Sequence, residues 1–153
     1  KVRTMNITTL SKQERSNEVI SSLTGLWNRS VRVTHNFLSG KDFRTLEPYV
    51  RQALAEVPVL AVAETGDGVA GFIGLSEDKI EMLFIDPAFI GRGIGHRLVN
   101  WAVNENGIRL IDVNEQNTHA VSVYTHWGFR TYDRSETDDQ GNPFPILRMR
   151  LEM

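Results

Sequence analysis

The chain has 153 residues, 41% of them hydrophobic and 24% charged, with a formal net charge of −2 and no cysteine. That length and composition predict one compact domain over residues 1–153. The lack of cysteine excludes a disulfide scaffold, thiolate metal ligands and a cysteine nucleophile, and it is compatible with a reducing cytoplasm, the expected compartment. The charge balance gives no basic footprint for general nucleic-acid binding. No apolar run approaches the roughly 18 residues of a membrane span, and no leader pattern is read at the start.

In chain order, residues 5–8 read as a short strand. Ser11 and Glu14 stand at capping-box spacing, and the helix they open carries Val19, Ile20, Leu23, Leu26 and Trp27 at helical intervals. A loop over 35–40 leads to a second helix over 42–55. Residues 59–64 form a strand, Thr65-Gly66-Asp67-Gly68 a hairpin turn, and 69–75 and 79–85 two further strands. A glycine-rich loop then opens a helix that runs to residue 106, where Gly107 stops it. A strand over 110–113 and a helix over 117–127, ended by Gly128, come next. Strands over 130–136 and 146–151 flank the turn-rich Asp138-Asp139-Gln140-Gly141-Asn142-Pro143. The order β-α-α-β-β-β-α-β-α-β-β alternates only in its middle. It predicts an α/β fold with a mixed, mostly antiparallel sheet flanked by helices.

The loop carries the first chemical signal. Ile85-Asp86-Pro87 leaves a buried strand, and Gly91-Arg92-Gly93-Ile94-Gly95-His96 runs straight into a helix. Glycines admit close approach of backbone N–H groups to an anion, and the helix start adds free donors and a positive dipole end. A P-loop would need Lys followed by Ser or Thr after the last glycine, where His96 and Arg97 stand. The Gly-x-Gly-x-Gly spacing also differs from the dinucleotide fingerprint. A tight turn without a ligand stays open at this point. The second signal is the helix from Asn117, which puts Ala120 and Tyr124 on one face. A lone tyrosine on such a face is ordinarily a core residue.

Together the two stretches resemble the GNAT N-acetyltransferase superfamily. Its glycine pattern, Gln/Arg-x-x-Gly-x-Gly/Ala, is similar to residues 90–95, except that Ile90 replaces the usual Gln or Arg. Its Asn-x-x-Ala-x-x-x-Tyr-x-x-x-Gly-Phe pattern matches Asn117 to Phe129 completely. Within the superfamily the chain resembles the small bacterial YjaB-type acetyltransferases. The likeness covers Ser30-Val31-Arg32-Val33-Thr34-His35-Asn36-Phe37-Leu38, Leu83 to Pro87, Asn114 to Asn117 and Gly141 to Pro145.

The resemblance implies a GNAT sheet and transfer of an acetyl group from acetyl-CoA to a primary amine, directly and in a ternary complex. It implies that the backbone around Leu83, Phe84 and Ile85 binds the pantetheine arm and polarises the thioester. It implies a pyrophosphate cradle at Gly91, Arg92, Gly93, Ile94, Gly95 and His96, where Arg92 or Arg97 could partly compensate for Ile90. Asn117 and Ala120 would contact the CoA arm, and Tyr124 would protonate the departing thiolate. Glu81, just before the cofactor strand, is the candidate base, with a solvated strand-end carboxylate as the alternative. His35 and Phe37 are the candidate acceptor-binding residues. His119 and His126 read as surface residues. The acidic run Glu136, Asp138, Asp139 reads as solvated turn carboxylates that could attract a cationic amine. No histidine or carboxylate spacing suggests a metal site. The expected partner is a small-molecule or protein amine, and a homodimer is compatible with the pattern. A non-catalytic CoA-binding module on the same fold is the rival reading.

Overall fold

A computed structural model describes residues 5–34 and 39–152. Its strands are β1 (Met5–Thr9), β2 (Val59–Thr65), β3 (Gly68–Ser76), β4 (Lys79–Ile85), β5 (Leu110–Asn114), β6 (Phe129–Ser135) and β7 (Ile146–Leu151). Its helices are α1 (Asn17–Thr34), α2 (Gly40–Glu56), α3 (Ile94–Asn106) and α4 (Thr118–His126). The strands form one sheet in the order β1-β2-β3-β4-β5-β7-β6. Every adjacent pair is antiparallel except β4 and β5. The mixed, mostly antiparallel sheet expected from the element order is therefore present.

Alternation along the strands supplies a core on each face. Leu60 and Val62 of β2 pack with Leu23, Leu26 and Trp27 of α1 and with Phe43 and Leu54 of α2. Ala61 and Ala63 join the opposite core with Leu98, Val99 and Ala102 of α3 and Tyr124 of α4. The alternation breaks once in β4. Leu75 of β3 pairs with Ile80, yet the preceding Gly74 pairs with Met82, so Glu81 is an extra residue. Ile80 and Met82, two positions apart, consequently pack into opposite cores.

Beyond this bulge β4 parts from β5. The two strands pair only at Lys79 with Leu110 and Ile80 with Ile111. The far half of β4 continues along β3, while β5 continues along β7. The N–H of Asp86 reaches back to the Ala70 carbonyl of β3 at 2.8 Å. By the period of two, the polar backbone groups of Leu83 and Ile85 face the other way, into the gap.

Two helix starts differ from expectation. The Ser11–Glu14 capping box is formed, but it closes a single 3₁₀ turn. Helix α1 starts later, where the Ser16 hydroxyl accepts from the Val19 N–H. Between them, the buried Arg15 guanidinium donates to the carbonyls of Leu10, Leu54, Ala55 and Val57. It thereby satisfies carbonyls at the end of α2 that no helical N–H can reach. Helix α2 starts at Gly40, two residues earlier than predicted, because Ser39 and Asp42 form a capping box of their own. His35 and Phe37, the candidate acceptor residues, lie outside the described residues.

Candidate active site

The far half of β4, the glycine loop, the start of α3 and one face of α4 enclose a groove of about 410 Å³. The loop is tied down at its first residue. Asp86 accepts the Ala88 N–H and forms an ion pair with Arg29 of α1 at 2.8 Å. Gly91 and Gly93 then take left-handed backbone angles, φ 87° and 74°, which a residue with a Cβ adopts at a cost. Gly93 is the N-cap of α3 and offers no side-chain oxygen to the helix. The Arg97 N–H bonds the Gly93 carbonyl at 3.1 Å. The N–H groups of Ile94, Gly95 and His96 precede that bond, so they have no carbonyl within the helix. Three free donors at a positive helix end are able to receive an anion.

Ten of the candidate cofactor residues line this groove: Leu83, Phe84, Ile85, Gly91, Gly93, Ile94, Gly95, His96, Asn117 and Ala120. Arg92 is not among them. Its guanidinium lies 3.8 Å from Asp67 and over the Phe89 ring, 5.1 Å from the centroid. Arg97 lines a different depression, with Ile7 and Trp101. In this structure neither guanidinium lines the groove beside Ile90, whose side chain is exposed there. The groove also takes in Ser30, Phe89, His119, Val123 and Trp127. His119 is exposed, as the helix pattern predicts, but at the groove rather than away from it. Val123 and Trp127 were legible in principle, since 120, 123, 124 and 127 follow the spacing of one helix face.

A second cleft of about 200 Å³ occupies the gap between β4 and β5, and both Tyr124 and Glu81 line it. Tyr124 is 8% exposed. Its ring meets Trp127 and Phe129 edge-on, with centroids 5.8 and 6.0 Å away. Burial pushes its phenol well above the ordinary value, so the hydroxyl keeps its proton. Among the described residues nothing hydrogen-bonds that hydroxyl, which leaves it free to meet a ligand.

Glu81 is exposed, as the alternative of a solvated carboxylate expects, but it does not stand at a strand end. It is the bulge residue itself, inside β4. Desolvation by the walls of the cleft raises its carboxyl above the usual range; Lys79 opposes the shift, and Asp112 and Asp139 reinforce it. Close by, Asp112 accepts from Lys79 at 2.9 Å and from Arg148, which also lies 3.6 Å from Asp139. Asp138 is spent on its own turn, accepting from the N–H groups of Gln140 and Asn142. Asn117 caps α4 by accepting the Ala120 N–H at 3.2 Å.

Residues 38–153 match the Acetyltransferase (GNAT) domain family. The chain belongs to the GNAT acetyltransferase family. The peptidyl-lysine N-acetyltransferase YjaB of Salmonella typhimurium is 39% identical over 139 residues, which cover 91% of this chain and 93% of the relative. The solution structure of apo-form YjaB from Escherichia coli superposes with a TM-score of 0.83 at 38% identity, over 96% of this chain and 97% of that one. A putative streptothricin acetyltransferase from Bacillus anthracis, solved in complex with acetyl coenzyme A, shares the fold over 62% of each chain with a TM-score of 0.53 and 20% identity. Membership in the GNAT family makes the chain an acyltransferase, with transfer of an acetyl group to an amine as its reaction class.

Proposed function

We propose that this GNAT enzyme moves the acetyl group of acetyl-CoA directly to the side-chain amine of a protein lysine, with both substrates bound at once. The observation that carries the reading is that Tyr124 and Glu81 line one cleft, opened where β4 leaves β5. In this scheme the free N–H groups at the start of α3 hold the pyrophosphate. The backbone groups of Leu83 and Ile85 bind the pantetheine arm and polarise the thioester carbonyl. Asn117 and Ala120 border the arm. His35 and Phe37 are assigned to the acceptor.

The proton bookkeeping suits the two side chains. A lysine amine is almost entirely protonated at neutral pH and must lose a proton before it can attack. Glu81 accepts that proton, directly or through a water. The neutral amine then adds to the thioester carbonyl. When the tetrahedral intermediate collapses, the carbon–sulfur bond breaks and the Tyr124 hydroxyl protonates the sulfur. The products are an acetylated amine and the CoA thiol. The names of the YjaB relatives support a peptidyl-lysine acceptor, and the complex of the Bacillus anthracis protein supports acetyl-CoA as donor.

Thiol release tests the reading, with a panel of a lysine-containing peptide, a peptide offering only its N-terminal amine, spermidine and an aminoglycoside. The lysine peptide should be turned over fastest. Initial rates at several concentrations of both substrates should give intersecting double-reciprocal lines, since direct transfer needs a ternary complex. Parallel lines would show an acetylated enzyme and overturn direct transfer. Turnover of small amines alone would overturn the protein acceptor.

A further inference from the structure

No lysine or arginine lines the donor groove among the described residues; the basic side chains that do are His96 and His119. Ile90 is apolar, and Arg92 and Arg97 are turned elsewhere, as described above. The remaining nearby cation on α1, Arg29, is bound to Asp86. His96 stands at the third position of α3, beside the free helix-start donors. Its imidazole stacks on the Trp127 indole, with centroids 4.8 Å apart and planes at 19°. It makes no hydrogen bond or ion pair with any described residue.

We infer that His96, in its protonated form, is a side-chain ligand of the donor's diphosphate, so that donor binding takes up a proton. The inference rests on acetyl-CoA being the donor. The stack holds the ring flat and leaves both nitrogens at its edge. Around the groove, α4 presents the second histidine, His119, and its C-cap the uncharged Trp127. The loop presents Arg92, engaged with Asp67, and β4 presents only apolar side chains at the groove. The permanent side-chain charges nearby are thus engaged, which leaves an imidazole to add a side-chain charge to the backbone donors of α3. Histidine is the side chain whose charge changes near neutrality. Proton uptake and anion binding then strengthen each other by linkage.

Calorimetry with 3′-dephospho-CoA tests this, because its diphosphate exchanges no proton near neutrality and any pH dependence belongs to the protein. The native chain should bind about tenfold more weakly at pH 8 than at pH 5.5, the worth of one charge-assisted contact. The heat of binding should vary with buffer ionisation enthalpy at intermediate pH. His96→Gln should bind weakly at both pH values. His96→Arg, with a permanent charge, should keep the tighter affinity at both. His119→Gln should retain the pH dependence. Affinity of the native chain that does not vary with pH would overturn the inference and leave the donor assignment intact. So would a pH dependence that survives in His96→Gln or disappears in His119→Gln. Failure of the native chain to bind dephospho-CoA or CoA at any pH would instead remove the donor assignment, and this inference with it.

Discussion

A phenol packed against Trp127 and Phe129 gives up its proton reluctantly, which suits Tyr124 to donate and not to accept. Tyr124→Phe keeps the ring and its packing and deletes only the hydroxyl. We expect kcat to fall by roughly 10²-fold, the low end for general acid catalysis, with the KM for acetyl-CoA nearly unchanged. Steady-state kinetics at saturating acceptor check this, and full turnover would assign the proton to water. Glu81 carries the opposite demand, since it must be ionised to accept. Its folded-state pKa is raised by desolvation in the cleft, so kcat/KM should rise with pH through that value and fall off below it. The same shift has a sign for stability. An acid with a raised folded pKa contributes most when protonated, and that contribution is lost as pH rises through the folded pKa. Glu81→Gln should therefore lose activity near neutral pH and hold or raise the Tm there, a split that pH–rate profiles and thermal unfolding would detect. Tyr124 was legible in the sequence because its distance from Asn117 is a local, helical fact. The bulge at Glu81 was not, because a bulge exists only relative to the partner strand.

At the scale of elements, the glycine loop was legible because each of its devices is short-range. A strand end, Asp86-Pro87, positive-φ glycines and a helix start all lie within a dozen residues. The start of α1 departs from its sequence signal for a related reason. A Ser-x-x-Glu box satisfies its own donors whether or not a helix follows. Here the chain turns so that Arg15 can reach carbonyls at the end of α2, some 40 positions away, and Ser16 caps α1 instead. A tertiary contact of that span leaves no local mark. The loop yields its own prediction, from two glycines with different constraints. A Cβ on Gly93 would meet open space, but φ there is 74°, where a β-branched residue is strained. Gly93→Val should reshape the N-terminus of α3 and weaken CoA binding at least tenfold, about 1.4 kcal/mol. At Gly95 a Cβ would meet Ile85 and Trp127 at an ordinary 3.8 Å. Gly95→Ala should therefore fold normally, and its loss of CoA affinity, read by calorimetry beside an unchanged Tm, would report how closely the ligand approaches the backbone.

For the molecule as a whole, the decisive feature is how little backbone joins the two parts of the sheet. Two residue pairs connect β4 to β5, whereas β2–β3 and β5–β7 are paired along their lengths. Side chains reinforce the junction. Asp112 on β5 holds Lys79 on β4 and Arg148 on β7, crossing three strands in one chain of ion pairs. The cluster is only partly exposed, with side-chain exposures of 19% to 29%, so its charges are poorly screened. Sequence reading placed Asp112 in a strand but could not pair it, since its partners lie 33 and 36 positions away. Asp112→Asn leaves Lys79 and Arg148 facing each other across the junction without the carboxylate they share, and Arg148 keeps only the more exposed Asp139. We expect a loss of about 2 kcal/mol, below the cost of breaking a fully buried pair. For a chain of this size that lowers the Tm by about 4–8 °C. The kinetic signature should differ from that of any groove residue. A junction that sets the width of the cleft affects donor and acceptor together, so kcat/KM should fall for both substrates by similar factors. Steady-state measurement against each substrate, beside the thermal scan, decides the point. A lower Tm with both kcat/KM values unchanged would reduce the ion pairs to a structural clasp with no hold on the cleft.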